Sequence, residues 1–236
     1  MRKTTYCLPA NGIELYCSVL GAGETVVLLH GHGQSQRVFK SWERELSKSY
    51  RVILIDSRNH GQSGKAEKIS ISLMAQDVYA ALKTLYVKRA NIIGYSDGAN
   101  IALQLAIDHP QIVKNLVIIS GNATPAGLKD RFFSIVQIWR SAAKRLYKLK
   151  LLSVFSYNMT RLIAKEPNIS DEQLKRIEAP TLLVYGDQDL IEGEHIDYLN
   201  HQIPNSKVKI LEKTNHFMML KKFKDYEPDI LAHFGK

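Results

Sequence analysis

The chain has 236 residues, 45% hydrophobic and 23% charged, with a formal net charge of +9. That length supports one sizeable core, and the balance excludes a disordered chain and a repeat array. No apolar run approaches the roughly 18 residues of a membrane helix, and the basic residues are not interleaved with aromatics in a nucleic-acid motif, so no nucleic-acid partner is expected.

Met1-Arg2-Lys3 is basic, but Thr4 to Pro9 hold no apolar h-region, so no signal peptide is expected and the setting reads as cytoplasmic. Pro9-Ala10-Asn11-Gly12 marks a turn between two arms that carry Cys7 and Cys17. With that turn Leu8 pairs with Ile13 and Cys7 faces Glu14, so a disulfide is not expected and the thiols stay reduced.

Thr25 to Leu29 is a continuous apolar run, the pattern of a strand buried on both faces. It ends in His30-Gly31-His32-Gly33, where two glycines let the backbone approach a ligand and leave amides free to donate. Residues 35–49 read as a helix burying Val38, Phe39, Trp42 and Leu46. Tyr50 to Ile55 is a second buried strand, running into Asp56-Ser57-Arg58-Asn59-His60-Gly61-Gln62-Ser63-Gly64. Ser70 or Ser72 caps the next helix, whose stripe is Val78, Ala81, Leu82 and Leu85.

The stretch Asn91 to Asn100 reads strand, sharp turn, helix: Ile92-Ile93, then Gly94-Tyr95-Ser96-Asp97-Gly98, then Ile101, Ala102, Leu105 and Ala106 on one face. A serine at the apex of such a turn has its hydroxyl thrust out beyond a strand, which makes Ser96 a candidate nucleophile. The alternative is a tight turn whose serine only caps the helix.

Asn115 to Ile119 is the following strand, and the alternation implies a mostly parallel sheet with helices on both faces. Ligands of such sheets sit beyond the carboxyl ends of the strands. Residues 122–179 break the rhythm. They carry no strand signal and read as helices, one of them amphipathic with Phe132, Phe133, Val136, Ile138 and Trp139. Residues 127–178 also hold eleven Lys and Arg against five acids, +6 of the +9. The expected organisation is a core of residues 1–121 and 180–236 with residues 122–179 inserted as a helical cap.

Strands resume at Pro180 to Tyr185, followed by Gly186-Asp187-Gln188-Asp189. A helix near Glu194 to Leu199, a strand Lys207 to Leu211, Asn215-His216 and a last helix with Ile230, Leu231 and Phe234 complete the chain. A serine hydroxyl is a poor nucleophile at neutral pH without a base in hydrogen-bond reach, and that base needs an anion to hold its tautomer. Ser96, Asp189 and His216 stand beyond successive strands in the order Ser, Asp, His.

With His30-Gly31, the Asp56-x-Arg58 loop ending Gly61-Gln62-Ser63-Gly64, Gly94-x-Ser96-x-Gly98, Gly186-x-x-Asp189 and Asn215-His216, the sequence resembles the α/β-hydrolase superfamily over nearly its whole length. The resemblance implies the α/β-hydrolase fold, an esterase-type triad of Ser96, His216 and Asp189, and no cofactor. It also implies an oxyanion hole from the backbone N–H groups of His32 and Asp97, with substrate contacts from Gly31, His32 and Asp97. The family spacing favours Asp189 over Asp187, which reads as a partner of loop backbone.

Three positions depart from the pattern. Asp97 follows the nucleophile, where the superfamily often has an apolar residue. Its carboxylate either satisfies its own helix N-terminus or, as the resemblance to amino-acid-ester hydrolases implies, holds a substrate amine. Asn59 replaces a frequent glycine and is expected in left-handed backbone. His32 lies between two glycines, its side chain able to line the pocket, and no second ligand at suitable spacing makes it a metal site.

The expected function is hydrolysis of small carboxylic esters through an acyl-enzyme. Thioester and C–C hydrolysis pass through similar oxyanions and stay open, as does a non-catalytic small-molecule-binding protein on the same fold. Lys144, Arg145, Lys148 and Lys150 mark either a solvated helix face or a contact with anionic substrates or lipid headgroups.

Overall fold

Asn11 and Gly12 both adopt positive φ, at 43° and 83°, so the first turn holds two residues, not four. The computed structural model describes residues 3–235; Met1 and Arg2, the basic start of the chain, lie outside them. In the hairpin formed by β1 (Thr4–Ala10) and β2 (Ile13–Leu20), Ala10 pairs with Ile13, Leu8 with Leu15 and Cys7 with Tyr16. The expected pairings of Leu8 with Ile13 and Cys7 with Glu14 are therefore off by two residues. Cys7 is exposed and Cys17, opposite Tyr6, is buried on the other face of the ribbon.

The chain continues through β3 (Thr25–Leu29), α1 (Lys40–Leu46), β4 (Arg51–Ile55), α2 (Ile71–Thr84), β5 (Ala90–Tyr95), α3 (Asp97–Asp108) and β6 (Val113–Ile119). After it come α4 (Asp130–Lys148), α5 (Val154–Lys165), α6 (Asp171–Leu174), β7 (Thr181–Gln188), α7 (Gly193–Gln202), β8 (Ser206–Asn215) and α8 (Phe223–His233). The strands form one sheet in the order β1-β2-β4-β3-β5-β6-β7-β8, with β1 and β2 antiparallel and β3 to β8 parallel. The order reverses at β3, between β4 and β5, so the loops after β3 and β5 diverge around a crevice at the carboxyl edge.

Continuous apolar strands follow from burial on both faces. Val26 and Leu28 of β3 pack with Trp42, Phe223 and Tyr226 on one side. Val27 and Leu29 pack with Met74, Val78 and Ala102 of α2 and α3 on the other. Each such side chain contributes about 1.5–3 kcal/mol by leaving water. Ser70 caps α2 by accepting the Leu73 amide. The helix expected over residues 35–49 is shorter: a 3₁₀ turn at Gln36–Phe39 precedes α1, and Val38 is only half-buried.

Residues 122–179 contribute no strand to the sheet; α4 and α5 pack on each other and reach the pocket beyond it. They are fastened by polar contacts to the core. The Glu166 carboxylate accepts the Ile71 amide at 2.5 Å and so occupies the N-terminus of α2, while Lys129 N–H donates to the Leu190 carbonyl. On α4 only Val136 and Ala143 are buried. Ile138 and Trp139, on the stretch read as amphipathic, each keep 66% of their surface exposed.

Candidate active site

Ser96 joins β5 to α3 with φ 54° and ψ −122°, a conformation L-residues adopt only where the surroundings enforce it. Two glycines allow that turn. A Cβ on Gly94 would lie 2.2 Å from the Gly98 carbonyl oxygen, and one on Gly98 would lie 2.1 Å from that of Leu29. The Ser96 amide is anchored by the Ile119 carbonyl at 2.9 Å. Its hydroxyl is left facing the crevice.

There the hydroxyl meets His216, whose Nε2 lies 3.1 Å from Ser96 Oγ. His216 follows β8 directly and opens a 3₁₀ turn that Asn215 caps by accepting the Met218 amide. Tyr95 OH donates to the His216 carbonyl at 2.9 Å, tying the loop to the end of β5. On the far side of the ring, Nδ1 is 2.8 Å from Asp189 Oδ1. Since a carboxylate only accepts, Nδ1 carries the hydrogen and Nε2 presents its lone pair to Ser96.

Asp189 is buried, which pushes its carboxyl pKa up. Hydrogen bonds and charge from His216, with further bonds from Ser120 and the Gly186 amide, outweigh burial and hold it below the ordinary value. Ser120 Oγ donates to Oδ2 at 2.5 Å and the Leu190 amide to Oδ1 at 2.7 Å. Sequence reasoning missed Ser120. Its signal was position, the first residue beyond the apolar strand β6, next to the strand carrying Asp189. Asp187 instead accepts the Lys213 and Thr214 amides, as read from the sequence.

The loop after β3 forms the other wall. His30 Nε2 accepts the Ser57 amide at 3.0 Å while Nδ1 donates to the Gly31 carbonyl at 2.8 Å, which fixes one neutral tautomer. Burial pushes its pKa down to about 4. Asp56 accepts the Gln36 and Gln62 amides, and Asn59 takes the expected left-handed backbone at φ 64°. Gly31 packs behind Ser96, where a Cβ would come within 3.0 Å of the serine Cβ; it does not line the pocket as expected.

Asp97 departs from the reading in which its carboxylate satisfies its own helix N-terminus, and its side chain borders the cavity at Ser96. It caps no amide of its own helix and accepts from His32 Nδ1 at 2.9 Å. Burial acts to raise its pKa, but the His32 hydrogen bond and the charges of His32, His60 and His30 lower it on balance. As the first residue of α3, its N–H has no carbonyl in a preceding turn to bond.

The crevice holds a cavity of about 260 Å³ lined by Ser96, His216, His32 and Asp97, with apolar walls from Leu128, Phe132, Ile163, Leu190 and Ile191. Trp139, Phe217 and Glu166 also line it. The Glu166 carboxyl is pushed up by burial although the Ile71 amide opposes that shift. A hydroxyl, an imidazole and a carboxylate in series beside an apolar cavity can relay a proton to and from a group held at Ser96.

A family described as alpha/beta hydrolase fold matches residues 24–150, more than half of the chain. The serine hydrolase BPHL of Mus musculus is 25% identical over 238 residues, covering 92% of this chain and 82% of that protein. Pimeloyl-[acyl-carrier protein] methyl ester esterase of Vibrio cholerae is 26% identical over 238 residues, covering 86% and 91%. Among solved structures, MGS-M2, an alpha/beta hydrolase enzyme from a Medee basin deep-sea metagenome library, is similar with a TM-score of 0.84 at 22% identity, over 99% of this chain and 98% of that one. Sheet order, elbow and family match agree, and the chain belongs to the α/β-hydrolase fold family.

Proposed function

We propose that the chain is a serine hydrolase that cleaves small carboxylic esters through an acyl-enzyme on Ser96. The observation that carries this reading is the unbroken path from Ser96 Oγ to His216 at 3.1 Å and on to Asp189 at 2.8 Å. Ser96 Oγ attacks the ester carbonyl carbon as His216 Nε2 takes its proton. Asp189 keeps Nδ1 protonated and stabilises the imidazolium. The backbone N–H groups of His32 and Asp97 receive the oxyanion, each donor contributing about 3 kcal/mol to the barrier reduction.

His216 then returns the proton to the leaving alkoxide, and water repeats the sequence to release the acid. A cavity of about 260 Å³ with apolar walls fits a short acyl chain better than a drug-sized group, which takes roughly 300–1,000 Å³. The names of two relatives, a serine hydrolase and a methyl ester esterase, agree with ester hydrolysis.

A panel of nitrophenyl esters of increasing acyl length tests the reading. Turnover of the short esters is expected, declining as the chain outgrows the cavity, with Ser96→Ala slower by about 10⁴-fold or more in kcat. Failure to hydrolyse any ester, or undiminished turnover by the alanine variant, contradicts it.

A further inference from the structure

Helix α4 presents an apolar stripe to solvent. Ile135, Ile138, Trp139, Ala142 and Leu146 recur three or four residues apart and are all exposed, so they share one face of the helix. Trp139 and Ile138 each keep 66% of their surface in water. Just past the helix, Leu149 and Leu151 extend the stripe at 59% and 72% exposure. A structural helix would turn these residues inward, and among the described residues nothing covers them.

Two further observations say what fits there. First, α4 carries Arg131, Arg140, Lys144, Arg145 and Lys148 against one acid, Asp130, so the apolar stripe is set among cations. Second, the stripe leads to the mouth of the cavity: Trp139 lines it together with Phe217, which is itself 68% exposed. Apolar side chains including a tryptophan, on a helix rich in Lys and Arg, suit the boundary between headgroups and acyl chains of an anionic bilayer.

We propose that α4, the following turn and Phe217 form a docking surface for an anionic lipid bilayer, holding the mouth of the catalytic cavity against the membrane. Apolar esters dissolved in the bilayer would then enter past Trp139 without crossing water. No helix of the described residues is long and apolar enough to span a membrane, so the contact is peripheral. Binding here does not require that Ser96 turn over a substrate.

Tryptophan fluorescence provides a direct test. The chain has two tryptophans, of which Trp42 is fully buried, so a change in emission on lipid addition reports Trp139. With vesicles of phosphatidylglycerol and phosphatidylcholine in about equal parts at moderate salt, a blue shift and co-sedimentation are expected. Lys144→Gln/Arg145→Gln/Lys148→Gln should need roughly a hundredfold more lipid, since each cation near an anionic surface is worth about fivefold in partitioning.

Ile138→Ser/Leu149→Ser should lose the blue shift and pellet less while retaining hydrolysis of water-soluble short esters. Absence of both shift and pelleting with native protein overturns the proposal, as does equal binding to pure phosphatidylcholine vesicles. Retention on an acidic protein without any vesicle binding overturns it too and identifies a protein partner for the same face. Loss of esterase activity alone bears on the catalytic reading and leaves vesicle binding unchanged.

Discussion

The carboxylate of Asp97 lies 2.9 Å from the Nδ1 of His32, joining two residues that line the cavity together with Ser96. The side chains thus brace the loop after β3 against the start of α3. Asp97→Ala removes that brace, and the catalytic loss should fall on kcat, by about tenfold to a hundredfold, for every ester alike. Kinetics on matched esters with and without an α-amino group check this. A loss confined to amino esters, appearing in KM, would instead make Asp97 a binding group for a substrate ammonium.

In the proposed reaction Ser120 would act through Asp189, the carboxylate to which it donates. Its hydroxyl supplies one of the hydrogen bonds that hold the carboxylate toward His216, and its own backbone sits at φ 54°. Ser120→Ala and Ser120→Gly both delete the bond, so both should lower kcat by roughly tenfold with KM unchanged. Glycine adopts that φ without strain, so the glycine variant should be the more stable of the two by up to about 1 kcal/mol. Unaltered kcat in both variants would remove Ser120 from the positioning of the acid.

At the elbow the constraint is steric. A Cβ at residue 98 would meet the Leu29 carbonyl at 2.1 Å, and backbone cannot step aside as a flexible side chain can. Gly98→Ala should cost about 3 kcal/mol or more, visible as a lowered urea midpoint or as insoluble protein. A variant with native stability would show that β3 and α3 can separate at that point.

Burial holds His30 and His195 down to about 4, against an ordinary value of 6.5. In each, Nε2 accepts a backbone amide, from Ser57 and Ala123 respectively, and protonation abolishes that acceptor. The unfolded chain takes up these protons first as pH falls. Their stabilising contribution, about 3 kcal/mol each, is therefore complete above pH 6.5 and is lost as pH drops through 4.

Glu166, raised by burial, takes up its proton more readily when folded and offsets part of that decline. Urea midpoints measured from about pH 7.5 to about pH 4.5 should fall, and His195→Gln should flatten the slope. A native profile that is level over that range contradicts the assignment.

The elements that bury apolar runs were readable from the sequence because β3, β4, β5 and β6 are covered on both sides, and continuous Val, Ile and Leu leave few other arrangements. The elbow was readable because its two glycines are sterically required. Less was legible where geometry depends on a partner. The hairpin register turned on whether Asn11 alone entered left-handed space with Gly12, a choice that Pro9-Ala10 masked.

The stripe on α4 was visible as periodicity, but periodicity does not say whether a stripe meets a core or solvent. Asp97 was legible as unusual, yet its partner comes from 65 residues away. Ser120 was not legible at all, because a serine after a strand reads as an ordinary loop residue until the neighbouring strand brings Asp189 beside it.

Covalent labelling by a fluorophosphonate probe tests the central claim most directly, because that reagent reports an activated serine whatever the natural ester. Mass spectrometry of the intact protein should find one adduct per chain, mapped by proteolysis to Ser96, with labelling abolished in Ser96→Ala and slowed by orders of magnitude in His216→Ala. An unlabelled native protein, or an adduct on another serine that persists in Ser96→Ala, would contradict the account.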